Sequence, residues 1–174
     1  GKLDARNLPM FDVEYIFLKI RAKSVGEVID LSVICPDDGV TSVVKRVNIG
    51  EIDLQVNENH SNKIDITDNI KLYLNYPILS DISIINDEDD TDTTFKMICR
   101  CFKELHSGDE VYHRVDIKDS DINEFLDQLN TEQFMGVTNF FETMPKLRHT
   151  IEVTNPKTNV TSEVLLEGLQ SFLG

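Results

Sequence analysis

Apolar residues crowd the stretch that begins at Pro9: Met10, Phe11, Val13, Tyr15, Ile16, Phe17, Leu18 and Ile20 take eight of its first twelve positions. The spacing predicts a helix over residues 9–25. Pro9 suits the first helical position, where a missing N–H costs nothing. Asp12 and Glu14 near the start, and Lys19, Arg21 and Lys23 near the end, follow the helix macrodipole. Gly26 is placed to take the left-handed residue that stops it. A surface helix needs an apolar stripe of only about 100°, and this one is apolar over well more than half its girth. It therefore either runs through the middle of its own domain or presents a second face to another chain.

The period then changes. Residues 28–35 alternate, with Ile29, Leu31 and Val33 on one face, and Pro36, Asp37, Asp38 and Gly39 make a turn by composition. Residues 40–47 read as the returning strand, Ile52, Leu54 and Val56 as a half-buried strand, Ile64 and Ile66 as a short one, and Ile70, Leu72 and Leu74 as another that halts at Tyr76 and Pro77. Together residues 28–77, within a β-rich stretch over 28–85, predict an antiparallel meander or partial barrel. The acidic run over residues 86–93 predicts a solvated loop, with Asp92 or Thr93 capping a helix over 95–105. That helix is read from Phe95, Ile98, Cys99, Phe102 and Leu105. Residues 111–117 alternate, and helices follow from Asp119 and over 131–144, with Pro145 as the stop. Residues 147–166 read as a hairpin around a turn at 154–159. The fold class is α+β in a single domain, with the meander or partial barrel first and then helices over 92–145 plus the C-terminal hairpin.

Composition narrows what such a chain does. At 174 residues it buries a genuine core without staples. With 40% hydrophobic and 28% charged residues it is ordinary for a globular protein. Acids outnumber bases 31 to 17, for a net charge of −14, which disfavours nucleic acid and anionic membranes as partners. No apolar run reaches the length of a membrane span. Three cysteines, an odd set, point to a reducing compartment such as cytosol. The first residue is Gly rather than Met, so residues upstream are expected.

Candidate chemistry is sparse. Cys99, Cys101, His106 and His113 offer soft ligands, but paired cysteines at zinc sites are usually two residues apart, not one. On an intact helix the two thiols would point about 160° apart. The reading preferred is Cys99 in the core and Cys101 partly exposed. A calcium loop counted from Asp87 needs Gly at its sixth position and Glu at its twelfth, and finds Asp92 and Ile98. No nucleophile elbow, phosphate-binding glycine loop or paired-histidine helix occurs, and His60, His106, His113 and His149 are scattered. No catalytic residue, cofactor, metal or small-molecule substrate is therefore assigned, and the chain is read as no enzyme. Interaction remains. Tyr15, Lys19, Arg21 and Lys23, taken as the exposed part of the first helix, are one candidate contact surface. Phe140, Phe141, Met144 and Lys146, at the corner before the hairpin, are the other. Arg21→Glu is expected to weaken association without lowering thermal stability.

These residues carry a resemblance. FDVEYIFLKIRAKSVGE from Phe11, HSNKIDI from His60, DNIKLYLNYP from Asp68, and FFETMPKL from Phe140 with the GLQSF end behind it resemble the T-even bacteriophage baseplate hub assembly proteins. The likeness spans nearly the whole chain, and the first block is its most specific part. It implies a late phage protein, chaperone-like and without catalytic residues, that binds other baseplate hub proteins in the cytoplasm of the infected host during tail assembly. The alternative it leaves is a permanent structural subunit of the hub, located in the virion baseplate. Relatives of this kind often carry a cysteine pair where this chain has Cys35, Pro36, Asp37 and Asp38. The second sulfur is absent here, so no metal-stabilised turn is implied. A longer N-terminal arm is implied as well.

Overall fold

A computed structural model describes residues 4–81 and 90–173. The class is α+β with antiparallel sheets, and the chain falls into two compact units that interleave along the sequence. One comprises residues 11–55 and 145–173, the other residues 4–10 and 56–144.

The first unit begins with α1, Met10–Val25, whose opening residue alone belongs to the other unit. Gly26 follows at φ 130°, a region open to glycine, and its N–H bonds the Ala22 carbonyl at 3.2 Å. Strands β1, Val28–Ile34, and β2, Ser42–Asn48, pair in register from Val28 opposite Asn48 to Ile34 opposite Ser42. A separate sheet of three runs in the order β3, Leu54–Gln55, then β8, Lys146–Thr154, then β9, Thr161–Glu167. Leu18 and Ala22 of α1, Leu31, Val33, Val47, Ile49, Ile52, Leu147, Ile151, Val153, Leu166 and Phe172 form its core.

A polar knot ties the β1–β2 turn to the β8–β9 turn. Asn155 is fully buried, and its amide donates to Asp38 Oδ2 at 2.8 Å and to both Asp37 oxygens at 3.1 Å. Thr158 donates to Asp37 Oδ2 at 2.5 Å. The Thr41 hydroxyl, the N–H groups of Thr41 and Val40, and the Asn155 amide together hold the Asp38 carboxyl well below the usual carboxylate range. Asp37 and Asp38 thus do more than turn the chain, because they receive a buried donor from far along the sequence.

In the second unit, one sheet runs β4, Lys63–Asp65, then β5, Ile70–Leu74, then β6, Phe102–Ser107, then β7, Glu110–His113. Gly108, at φ 60°, opens the two-residue turn between β6 and β7, the position a tight hairpin reserves for glycine. Among the described residues three helices accompany the sheet: α2, Asp90–Cys101, α3, Asp119–Asp127, and α4, Thr131–Thr143. Asn130 and Gln133 cap α4 reciprocally, each side chain bonding the other's N–H at 2.9 Å. Leu72, Leu74, Ile98, Cys101, Phe102, Ile122, Leu126, Val137 and Phe140 are the most deeply buried of its core.

Several sequence expectations change. The strands over 28–85 are not one meander or partial barrel: among the described residues they divide into open sheets of two, three and four. Nor does a β-rich first half precede a helical second half, since β4 and β5 pair with β6 and pack with the later helices. The helix expected over 95–105 ends at Cys101, and Phe102 to Ser107 are strand. Phe102 and Leu105 keep a helical spacing, but pairing with Leu74 and Leu72 of β5 satisfies their backbone and buries the same apolar groups. Asp92 and Thr93 lie inside α2, so neither caps it. Residues 86–89 of the acidic run lie outside the described residues. The strand expected over 111–117 stops at His113, and Arg114–Asp116 form a 3-10 turn.

α1 separates two kinds of apolar residue. Leu18 has no exposed surface, whereas Ile20 is 59% exposed. Leu18→Ala is expected to cost about 2–5 kcal/mol, and Ile20→Ala to stay within about 0.5 kcal/mol. Urea midpoints of the two variants read the difference directly.

Candidate functional site

The face of α1 opposite the core exposes a group of large apolar side chains. At about 100° per residue, Phe11, Tyr15, Leu18 and Ala22 share one side, and Phe11, Leu18 and Ala22 are buried. Val13, Ile16, Phe17 and Ile20 share the other. Ile16 is 40% exposed, Phe17 49% and Ile20 59%. Large apolar side chains singly exposed need no explanation, but three adjacent ones on one helix face do.

The four residues expected to face outward mostly do not. Tyr15 is half-buried and donates its hydroxyl to Asp53 Oδ1 at 3.0 Å. Lys19 donates to the Gly50 carbonyl at 2.7 Å, lies 3.4 Å from Asp53 Oδ1, and sits 5.1 Å over the Tyr15 ring. The Tyr15 hydroxyl, with Lys19 beside it, holds the Asp53 carboxyl below its ordinary value. Arg21 donates from Nη2 to the Leu173 carbonyl at 3.2 Å, and its buried Nε has no partner among the described residues. Of the four, Lys23 is the one that is exposed and has no partner among the described residues. The long stems of Lys19 and Arg21 lie along the unit's flank while their heads satisfy backbone carbonyls. Sequence reasoning therefore chose the polar border of the stripe and missed Ile16, Phe17 and Ile20. Their grouping at spacings of three and four with Val13 was the available signal.

The second candidate surface divides where the chain passes between units, after Met144. In the second unit Phe140 is core, 2% exposed, with Phe141 packed edge-on at a centroid distance of 5.0 Å. Met144 is half-buried. His60 lies 5.2 Å from the Phe140 ring, with Nδ1 2.9 Å from the Thr143 hydroxyl and Nε2 3.0 Å from the Tyr76 hydroxyl. This cluster pins the connection before β4 to the end of α4. In the first unit Lys146 is half-buried and pairs with Glu167 at 3.4 Å; Arg148 bonds the same carboxylate at 2.6 Å.

Cys99 and Cys101 are both buried, so the expected exposure of Cys101 is corrected: α2 ends there against the sheet, and the thiol is 1% exposed. Burial, reinforced by the Asp81 charge, pushes the Cys101 thiol up to about 12. His106 and His113 meet at Glu104 instead, at 3.0 and 3.3 Å. Burial also raises the Cys35 thiol, with Asp37 and Asp38 adding to it. Among the described residues no group of three or more His, Cys, Asp or Glu stands in a geometry to hold a metal ion, and no helix is long and apolar enough to cross a membrane.

The described residues thus make an α+β chain in which α1 turns an apolar face outward. A family model described as T4 bacteriophage base plate protein matches residues 1–174. The chain belongs to that family. Comparison with the curated proteins and with the solved structures gives no match. Membership makes this a bacteriophage baseplate protein, acting in the virion or in the infected cell. The resemblance read from Phe11 onward is thereby borne out at the level of the baseplate.

In this baseplate protein Arg21 is part of the first unit's own structure. Arg21→Glu removes the bond to the Leu173 carbonyl and is expected to lower stability by about 1–2 kcal/mol; a thermal melt checks it, against the unchanged stability expected from sequence. Burial lowers the His60 pKa below its ordinary value. A depressed value means stability that is complete above the unfolded pKa, near 6.5, and is lost as pH falls through the folded one. Melting points between about pH 7.5 and 5 should fall more steeply for the parent than for His60→Gln.

Proposed function

We propose that this baseplate protein is a non-enzymatic, chaperone-like assembly factor that binds hub proteins in the cytoplasm of the infected cell. The supporting observation is the outward face of α1. Ile16, Phe17 and Ile20 sit on a helix whose other side is already anchored by Leu18 and Ala22, so their exposure is not a by-product of a loose element. Such a face has use as a cover. Strand edges and apolar patches left uncovered on a partly assembled subunit are aggregation liabilities. A modest apolar stripe binds them weakly enough to be displaced by the next component. Phe17 is the anchor, because Phe, Tyr and Trp bury the largest apolar area and dominate interface energetics.

The test uses full-length protein in infected cells. Phe17→Asp is expected to keep its melting temperature within a few degrees, since surface changes shift stability by only about 0.5 kcal/mol. It should lose co-purification of the hub proteins and reduce the yield of complete baseplates. Unchanged co-purification would end the docking reading. Finished tails are expected to contain less than a stoichiometric amount of the polypeptide; one full complement per baseplate would instead make it a permanent subunit.

A further inference from the structure

The charges at the two ends of the α1 stripe carry a second inference. Asp12 lies near its start and Lys23 near its end, and neither has a partner among the described residues. Eleven residues are close to three turns, so the two project within about 20° of one another, on the same flank, roughly 16 Å apart along the axis. The stripe between them, Val13, Ile16, Phe17 and Ile20, is centred near Ile16 and Phe17.

We infer that the occupant of this face in the free protein is a second copy of the same face, packed antiparallel about a two-fold axis. A two-fold that reverses a helix and faces it back on itself exchanges its ends and preserves its flanks. It therefore brings Asp12 of one copy beside Lys23 of the other, and does so twice. Ile16 meets Phe17 of its mate, and Val13 meets Ile20. The remaining offset between Asp12 and Lys23 is about 3 Å, within reach of a lysine stem. A parallel arrangement about the helix axis direction would swap the flanks and leave both charges unpaired. The net charge of −14 per chain opposes any self-association, so a local match of sign is required for it. This pairing supplies one. Three exposed apolar side chains fall well short of the ~1,000 Å² of a stable interface, so the dimer is weak, with a dissociation constant on the order of 10–100 µM. The inference rests on the docking reading only in sharing its face: the copy covers the stripe until a hub protein takes its place.

Sedimentation velocity of the full chain from ~5 to ~500 µM in about 0.15 M salt, which screens the net repulsion, reads it out. The parent protein is expected to pass from monomer to dimer, and Phe17→Asp to remain monomeric throughout. Asp12→Lys alone and Lys23→Asp alone place like charges opposite one another and should each weaken the dimer by roughly tenfold. The double variant Asp12→Lys with Lys23→Asp should recover parental affinity to within about threefold, a rescue that general loss of folding cannot give. A protein monomeric at every concentration, a dimer indifferent to Phe17→Asp, or a double variant no better than the singles would each overturn the inference. A monomer that still captures hub proteins through Phe17 would defeat the dimer and leave the docking function standing. A charge-rescued dimer whose Phe17→Asp variant captures hub proteins normally would do the reverse.

Discussion

Leu18 fixes the meaning of α1. It is wholly buried, and with Ala22 one turn on it orients the helix against β1, β2 and the hairpin β8–β9. Once that side is committed, the 3.6-residue period leaves Ile16, Phe17 and Ile20 no route inward. The helix cannot roll to bury them without exposing Leu18 and drawing Tyr15 and Lys19 away from Asp53 and Gly50. The outward apolar face is thus a consequence of a firmly held inward one. A helix free to rotate would average its exposure, whereas this one is held with those three side chains outward by Leu18, Ala22 and the bonds of Tyr15 and Lys19. A face held in one orientation is the kind of surface the proposed docking would use.

The same unit holds its distant pieces with polar rather than apolar contacts at the far end of its strands. Asn155 gives both amide hydrogens to carboxylates of the β1–β2 turn, and Thr158 adds a third donor. The chain reaches residue 145 only after tracing the whole of the other unit. A fully satisfied knot at that point is geometrically demanding, since a buried amide without its acceptors is costly. It fixes the register of returning strands that a hydrophobic core alone would leave free to slip by pairs of residues.

Local features were legible in the sequence and long-range ones were not. α1, the stop at Gly26, the β1–β2 hairpin, the two later helices and the closing hairpin follow from period, turn residues and caps, all of which act within a few residues. The end of α2 was misread because Phe102 and Leu105 satisfy a helical and a strand pattern alike; the choice was made by β5, nearly thirty residues earlier. β3 is two residues long and exists only because Leu147 lies opposite Leu54. The division of the described strands among three sheets is likewise a property of partners rather than of any one segment. For the candidate site, the apolar girth of α1 was plain in the sequence but its orientation was not. Lysine and arginine looked like the exposed part because they are charged, and the structure uses them as donors to carbonyls.

A charged residue on a helix border is a poor marker of what is free, because its head has three or more donors and a buried carbonyl nearby will claim them. An exposed Phe has no such alternative. Among the described residues of α1, Lys23 is the one base left unclaimed, and it stands beside the stripe, with Asp12 at the opposite end. The unclaimed groups, apolar and charged together, therefore mark out one continuous face, and that face has a direction, negative to positive along the helix. A surface with a direction selects how a partner must lie on it, which a bare apolar patch does not.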